Sequence, residues 1–126
     1  MRFKAVLITF LLFCAGVVPL WLRTDDPLSG IWTGDWGTTP SHRNSVTVSL
    51  KWDRLTLTGV VNPGPRPLPF TKATFDSQKR AVHLEVDVIS AGREVYYVID
   101  GTIEGSTLIG TWYNDDNKGS FRLIRK

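Results

Sequence analysis

Cysteine is nearly absent from this 126-residue chain, and the one it has, Cys14, lies in an apolar leader. The rest of the chain therefore has no disulfide to lean on and no thiol nucleophile or thiolate metal ligand. Any fold must be held by its own core, and roughly 100 residues can bury enough surface for that. A sustained helical repeat is missing as well, which argues against a bundle. Excess charge of one sign is absent once the leader is set aside. The formal net charge is +3, but removing Arg2, Lys4 and Arg23 leaves 12 basic residues against 12 acidic ones. Such a balance provides no cationic field to neutralise phosphates, so nucleic acid is not an expected partner. There is no Gly-rich phosphate loop between a strand and a helix, and no Ser-His-Asp order can be read. With only two histidines, His42 and His83, binding is a better expectation than catalysis, and no cofactor is implied.

The first 22 residues are a basic n-region, Arg2 and Lys4, followed by a charge-free, mostly apolar run from Ala5 to Leu22. This pattern reads as a signal peptide or an uncleaved signal anchor, and it points to export, periplasmic or secreted. Any membrane contact would be made through residues 5–22. Leu11-Leu12-Phe13-Cys14 has the outline of a lipidation site, with bulky Phe13 where a small residue is wanted. Residues 23–27 read as a short linker, and 28–126 as one domain.

Within that domain the pattern has period two. Val46, Val48, Leu50 and Trp52 share one strand face, opposite Ser45, Thr47, Ser49 and Lys51; Val82, Leu84, Val86 and Val88 likewise oppose His83, Glu85 and Asp87. Eight strands are expected, near 29–36, 45–52, 54–61, 68–76, 80–89, 93–104, 107–113 and 119–125. Asn62-Pro63-Gly64-Pro65-Arg66-Pro67 must be a loop, because three prolines cannot donate to a ladder. All connections suit hairpins, so the expected fold is all-β: an eight-stranded antiparallel up-and-down barrel, in which closure removes the exposed edges. In such a meander alternate loops share an end. The longer connections 37–44, 62–67, 90–92 and 114–118 then form one rim, and the tight turns 53, 77–79 and 105–106 form the other.

Gly30-Ile31-Trp32 on the first strand and Arg122 or Arg125 on the last resemble the calycin architecture of lipocalin, fatty-acid-binding and avidin-like barrels. The resemblance implies that Trp32 plugs the barrel base under a stacked guanidinium. A closer similarity covers nearly all of residues 29–126 and is to a group of small exported bacterial proteins. It rests on Trp32-Thr33-Gly34-Asp35-Trp36-Gly37, on Leu57-Thr58-Gly59-Val60-Val61-Asn62-Pro63-Gly64-Pro65, and on Gly110-Thr111-Trp112, Asp115 and Lys118-Gly119-Ser120-Phe121. This similarity implies fold and export, and no activity.

Two clusters could carry metal chemistry, and each has a plainer explanation. His83, Glu85 and Asp87 share a strand face, but three successive same-face positions span too far for one ion. Asp115-Asp116-Asn117-Lys118-Gly119 lacks the spacing and closing glutamate of an EF-hand and reads as a polar turn. The rim remains as the candidate site: Trp36, His42, Arg43, Asn44, Asn62, Arg66, Arg93, Asp115, Asp116 and Lys118. Paired charges and an aromatic at a barrel mouth suit a small polar ligand, and the leading expectation is a non-enzymatic barrel that binds a small ligand at or inside this mouth; the alternative is a periplasmic inhibitor or accessory subunit that recognises a partner protein through the same rim. The strand-face aromatics Trp52, Phe75, Tyr97, Trp112 and Phe121 are expected to fill the interior. An enzyme would need His42 within hydrogen-bond reach of Asp115 or Asp116.

Overall fold

The computed structural model describes residues 26–126, and they form one antiparallel sheet. The leader readings, including Cys14, fall outside the described residues. Nine strands follow in chain order: β1 Gly30–Thr39, β2 His42–Trp52, β3 Leu57–Val61, β4 Leu68–Pro69, β5 Lys72–Asp76, β6 Ala81–Ser90, β7 Arg93–Glu104, β8 Thr107–Tyr113 and β9 Lys118–Arg125. Their spatial order is β4-β3-β2-β1-β9-β8-β7-β6-β5. The first and last long strands are therefore neighbours, with Trp32 opposite Arg125 and Trp36 opposite Phe121. Among the described residues no helix is long and apolar enough to cross a membrane.

The expected closed eight-stranded barrel is corrected at one place. The segment 68–76 was expected as a single strand, but it divides at Phe70-Thr71. Its start pairs with β3, through Val60–Pro69 and Val61–Leu68, and its end pairs with β6 from Lys72 to Asp76. No residue pairs on both sides, so the ladder does not close. Pro69 has no N–H to offer a second neighbour, and the Phe70 and Thr71 amides are divided between the Gly59 and Glu85 carbonyls, at 3.1 and 2.8 Å. The two edges of the sheet still come together, since β3 lies beside β5 and β4 beside β6.

The loop lengths also differ from expectation. The first hairpin is a turn at 40–41, because β1 and β2 run on to pair Gly37 with Arg43 and, across a bulge, Thr39 with His42. Gly37 permits this approach: a Cβ there would run into the His42 carbonyl. Alternation of strand direction still groups the turns at 40–41, 62–67, 91–92 and 114–117 at one end, with 53–56, 77–80 and 105–106 at the other. Length no longer separates the two ends. The filling of the interior does.

At the second end, the base, the interior is solid. Leu28 and Trp32 are fully buried, and Leu50, Leu57, Val82, Ile103 and Leu108 pack around them. Trp52 and Phe75 meet edge to face with ring centroids 5.0 Å apart. The Trp32 indole N–H donates to the Leu28 carbonyl at 2.8 Å, so the plug carries no unmet polar group. Arg125 lies over the same ring, 5.5 Å from its centroid, and donates to the carbonyls of Asp26 and Ser29 at 3.0 and 3.1 Å. Of the two candidate arginines, Arg125 therefore sits on the indole. Arg122 faces outward and is exposed, as strand alternation requires of a residue three positions away.

Candidate functional site: a hollow at the other end

Moving up the same strands, the inward residues cease to fill the space. Val46, Val48, Val61, Val86 and Val88 are short, and the described residues supply no further plug at this end. A cavity of about 320 Å³ results. One wall is aromatic: Trp36 meets Trp112 edge to face at 5.1 Å and Tyr97 at 6.0 Å, and Tyr97 leans on Trp112 at 5.6 Å. The rest of the lining is apolar too, with Leu68 and Phe70 beside the valines. Leu84, Leu108 and Leu123 lie towards the base, and Asn44, Ser45 and Asn62 stand near the opening. None of the lining residues is charged.

The two fully enclosed indoles, Trp32 and Trp112, differ in hydrogen-bond status. The Trp32 N–H is satisfied. Trp112 is 4% exposed, and its Nε1 is the one buried side-chain polar atom among the described residues without a partner. A buried donor left unmet ordinarily costs about 1–3 kcal/mol, and this one is covered by protein atoms although its ring borders the cavity.

The expected rim residues divide into three groups. Trp36, Asn44 and Asn62 line the cavity. Arg43 does not: it lies on the outer face, paired with Asp35 at 2.8 Å and donating to Ser120, so that it straps β2, β1 and β9 together. The remainder are exposed at the rim. Arg93 pairs with Asp116 at 2.8 Å, joining the start of β7 to the 114–117 turn, while Arg66, Asp115 and Lys118 face solvent. The imidazole Nδ1 of His42 is 2.9 Å from the Thr39 hydroxyl, a contact local to its own turn. Asn114 Oδ1 accepts from the amides of Asp116 and Asn117, which accounts for the acidic turn without an ion. Among the described residues no group of three or more His, Cys, Asp or Glu is arranged around a metal position.

The set His83, Glu85 and Asp87 becomes a different cluster on the outer wall. His83 Nε2 contacts Glu85 at 2.5 Å, its Nδ1 contacts Asp100 on β7 at 2.6 Å, and the Tyr96 hydroxyl donates to Glu85. The hydrogen bonds to Glu85 and then Asp100 hold the imidazole pKa above its ordinary 6.5. Those from Tyr96 and then His83 hold the Glu85 carboxyl below its own. The two ring nitrogens face opposite ways, so the carboxylates cannot share one ion with the imidazole. The arrangement links β6 to β7.

Sequence reasoning missed the cavity side of Trp112, Tyr97 and Phe121, which alternation placed inside and composition took to be packing. The available signal was the run of inward valines on β2 and β6 near one end, opposite aromatics on β7 and β8.

No family model matches the chain, and searches of curated proteins and of solved structures find no match either.

Proposed function

We propose that this domain is a calycin-like binding protein that takes a small, mostly apolar ligand into the cavity between Trp36, Trp112 and the β6 valines. The cavity itself carries this reading. A volume of about 320 Å³ lies at the lower end of the ligand-pocket range, and its lining of hydrocarbon and aromatic rings with a few polar groups at the opening has the usual character of such sites. The expectation of a polar ligand held by rim charges is set aside, because Arg43 and Arg93 already bind Asp35 and Asp116. A role as a periplasmic inhibitor or accessory subunit gains less support, since a hollow interior is unnecessary for recognition by the rim. The leader, read as an export signal, puts the ligand outside the cytoplasm.

The test is titration with the fluorescent probe 1-aminoanthracene, comparing the wild type with Val86→Trp and the milder Val86→Phe, both of which place a ring in the cavity. Saturable enhancement in the wild type that falls stepwise in the two variants, with circular dichroism unchanged, supports the proposal. Absence of saturable binding, or equal binding by all three proteins, overturns it.

A further inference from the structure

The chain enters the domain at its solid end. Asp26, the first described residue, lies at the base, where its carbonyl accepts from Arg125. The apolar run ends at Leu22, four residues earlier. Extended chain covers at most about 3.3–3.6 Å per residue, so Asp26 can stand no further than roughly 14 Å from Leu22. The run from Ala5 to Leu22 has 18 residues, within the range that crosses a bilayer as an uncleaved anchor. We infer that the base is a membrane-facing surface: with residues 5–22 as the anchor, the 53–56 turn and the basic residues around it rest on a bilayer carrying anionic lipid, and the cavity opens away from it.

Two features of the base, neither of them in the leader, fit this occupant. The first is Leu55, which at 93% is the most exposed large apolar side chain among the described residues. A lone exposed leucine is ordinary, but this one belongs to a turn that is held in place. Asp53 Oδ1 accepts from the amides of Leu55 and Thr56 at 2.9 and 2.7 Å, and the Asp53 amide donates to the Thr56 carbonyl at 3.2 Å. Little backbone remains to be ordered when the side chain enters the headgroup layer, which favours insertion. The second feature is charge. Five exposed basic residues, Lys51, Arg54, Lys79, Arg80 and Lys126, stand at the turns and strand ends of the base. Three exposed acidic ones, Asp53, Asp76 and Glu104, oppose them. At the other end the exposed charges balance, with Arg66, Arg93 and Lys118 against Glu94, Asp115 and Asp116. Only the base therefore presents a cationic excess, and an anionic lipid surface attracts such a face at short range.

The full chain is reconstituted, on a Cys14→Ser background, in vesicles of phosphatidylcholine with phosphatidylglycerol. A nitrobenzoxadiazole label is placed through Leu55→Cys or, at the other end, through Asn117→Cys. Both positions are exposed, and circular dichroism checks the fold. Spin-labelled lipid should quench the Leu55→Cys label and membrane contact should shift its emission to the blue, while the Asn117→Cys label should show neither effect. Adding Lys79→Gln should lower the docked-to-free ratio read from the quenching about fivefold, the size expected for one charge at an anionic surface. Vesicles of phosphatidylcholine alone should lower it further, because every basic residue of the base then loses its partner. Equal quenching of the two labels, or none at Leu55→Cys, overturns the orientation. Quenching at Leu55→Cys that responds to neither phosphatidylglycerol nor Lys79→Gln overturns the anionic surface. Mass spectrometry of the protein extracted from membranes decides the tether, and a chain shortened within residues 1–25 overturns the proposal.

Discussion

Trp32 and Trp112 are both buried indoles on the inward face of one sheet, and they differ in what surrounds them. Trp32 has the Arg125 guanidinium over its ring and its N–H bonded to the Leu28 carbonyl. Trp112 borders open space with its N–H unmet. The base thus stores stability, whereas the mouth keeps an unsatisfied group and a void, both of which cost stability. A sheet that carries such costs at one end only has a sealed floor and an open hollow, the arrangement that the proposed ligand site requires.

The largest expected effect tests the floor. Trp32→Ala should cost about 3–5 kcal/mol by denaturant melting, as for a fully buried large aromatic. Trp36→Ala, on the same strand face but only half-buried beside the cavity, should cost clearly less. Equal losses would mean that the two ends are packed alike.

Next come the two arginines that the sequence left open. Arg125→Met removes two hydrogen bonds to carbonyls and a cation over the Trp32 ring, and should cost about 1–3 kcal/mol. Arg122→Met, three residues away and facing water, should stay within about 0.5 kcal/mol of the wild type. A loss at Arg122 as large as that at Arg125 would contradict the placement of the plug.

Much of this fold was legible because strand alternation has a fixed period. The residues that face inward on β2 and β6 could be read directly from the sequence, and Gly30-Ile31-Trp32 marked the base. Closure was not legible. Whether segment 68–76 pairs on both sides along its length depends on where Pro69 falls relative to two ladders, and that is a matter of three-dimensional register. The candidate site was legible in part. Trp36, Asn44 and Asn62 were placed at the right end, yet Arg43 was assigned to the rim because a strand residue had been taken for a loop residue. The cavity itself is a deficit of volume summed over several strands, so no single residue announces it. It emerges only when short valines on β2 and β6 meet rings that do not reach across.

Two valines on β6 sharpen the contrast between the ends. Val82 and Val86 share a face, four residues apart, and both are buried. Val82 belongs to the solid core, while Val86 lines the cavity. Enlarging a packed position generally costs about 1–3 kcal/mol, and Val82→Phe should show this. Val86→Phe should remain within about 1 kcal/mol of the wild type because the void accepts the added ring. Thermal melts of the two variants side by side measure the difference, and an equal loss in both would show that the cavity does not persist in solution.

The smallest effect concerns acid. Burial opposes the charge on Asp26, but the hydroxyl and amide of Ser29, the Leu28 amide and the charge of Arg125 outweigh it and hold the carboxyl below its ordinary 3.8. A carboxyl whose pKa is lowered by folding contributes stability above its unfolded value and loses that contribution as the pH falls through its folded value. Acidification below about pH 4 should therefore loosen the floor, where Asp26 positions Leu28 and its neighbours, and should do so ahead of the uncharged cavity. Asp26→Asn should lower stability at neutral pH and flatten the acid limb of the stability profile. It should leave the affinity for 1-aminoanthracene at neutral pH unchanged, because its contacts lie at the end away from the opening. A variant that weakened probe binding as much as it weakened the fold would join the two ends into one cooperative unit and remove the division between a stabilising floor and a binding mouth.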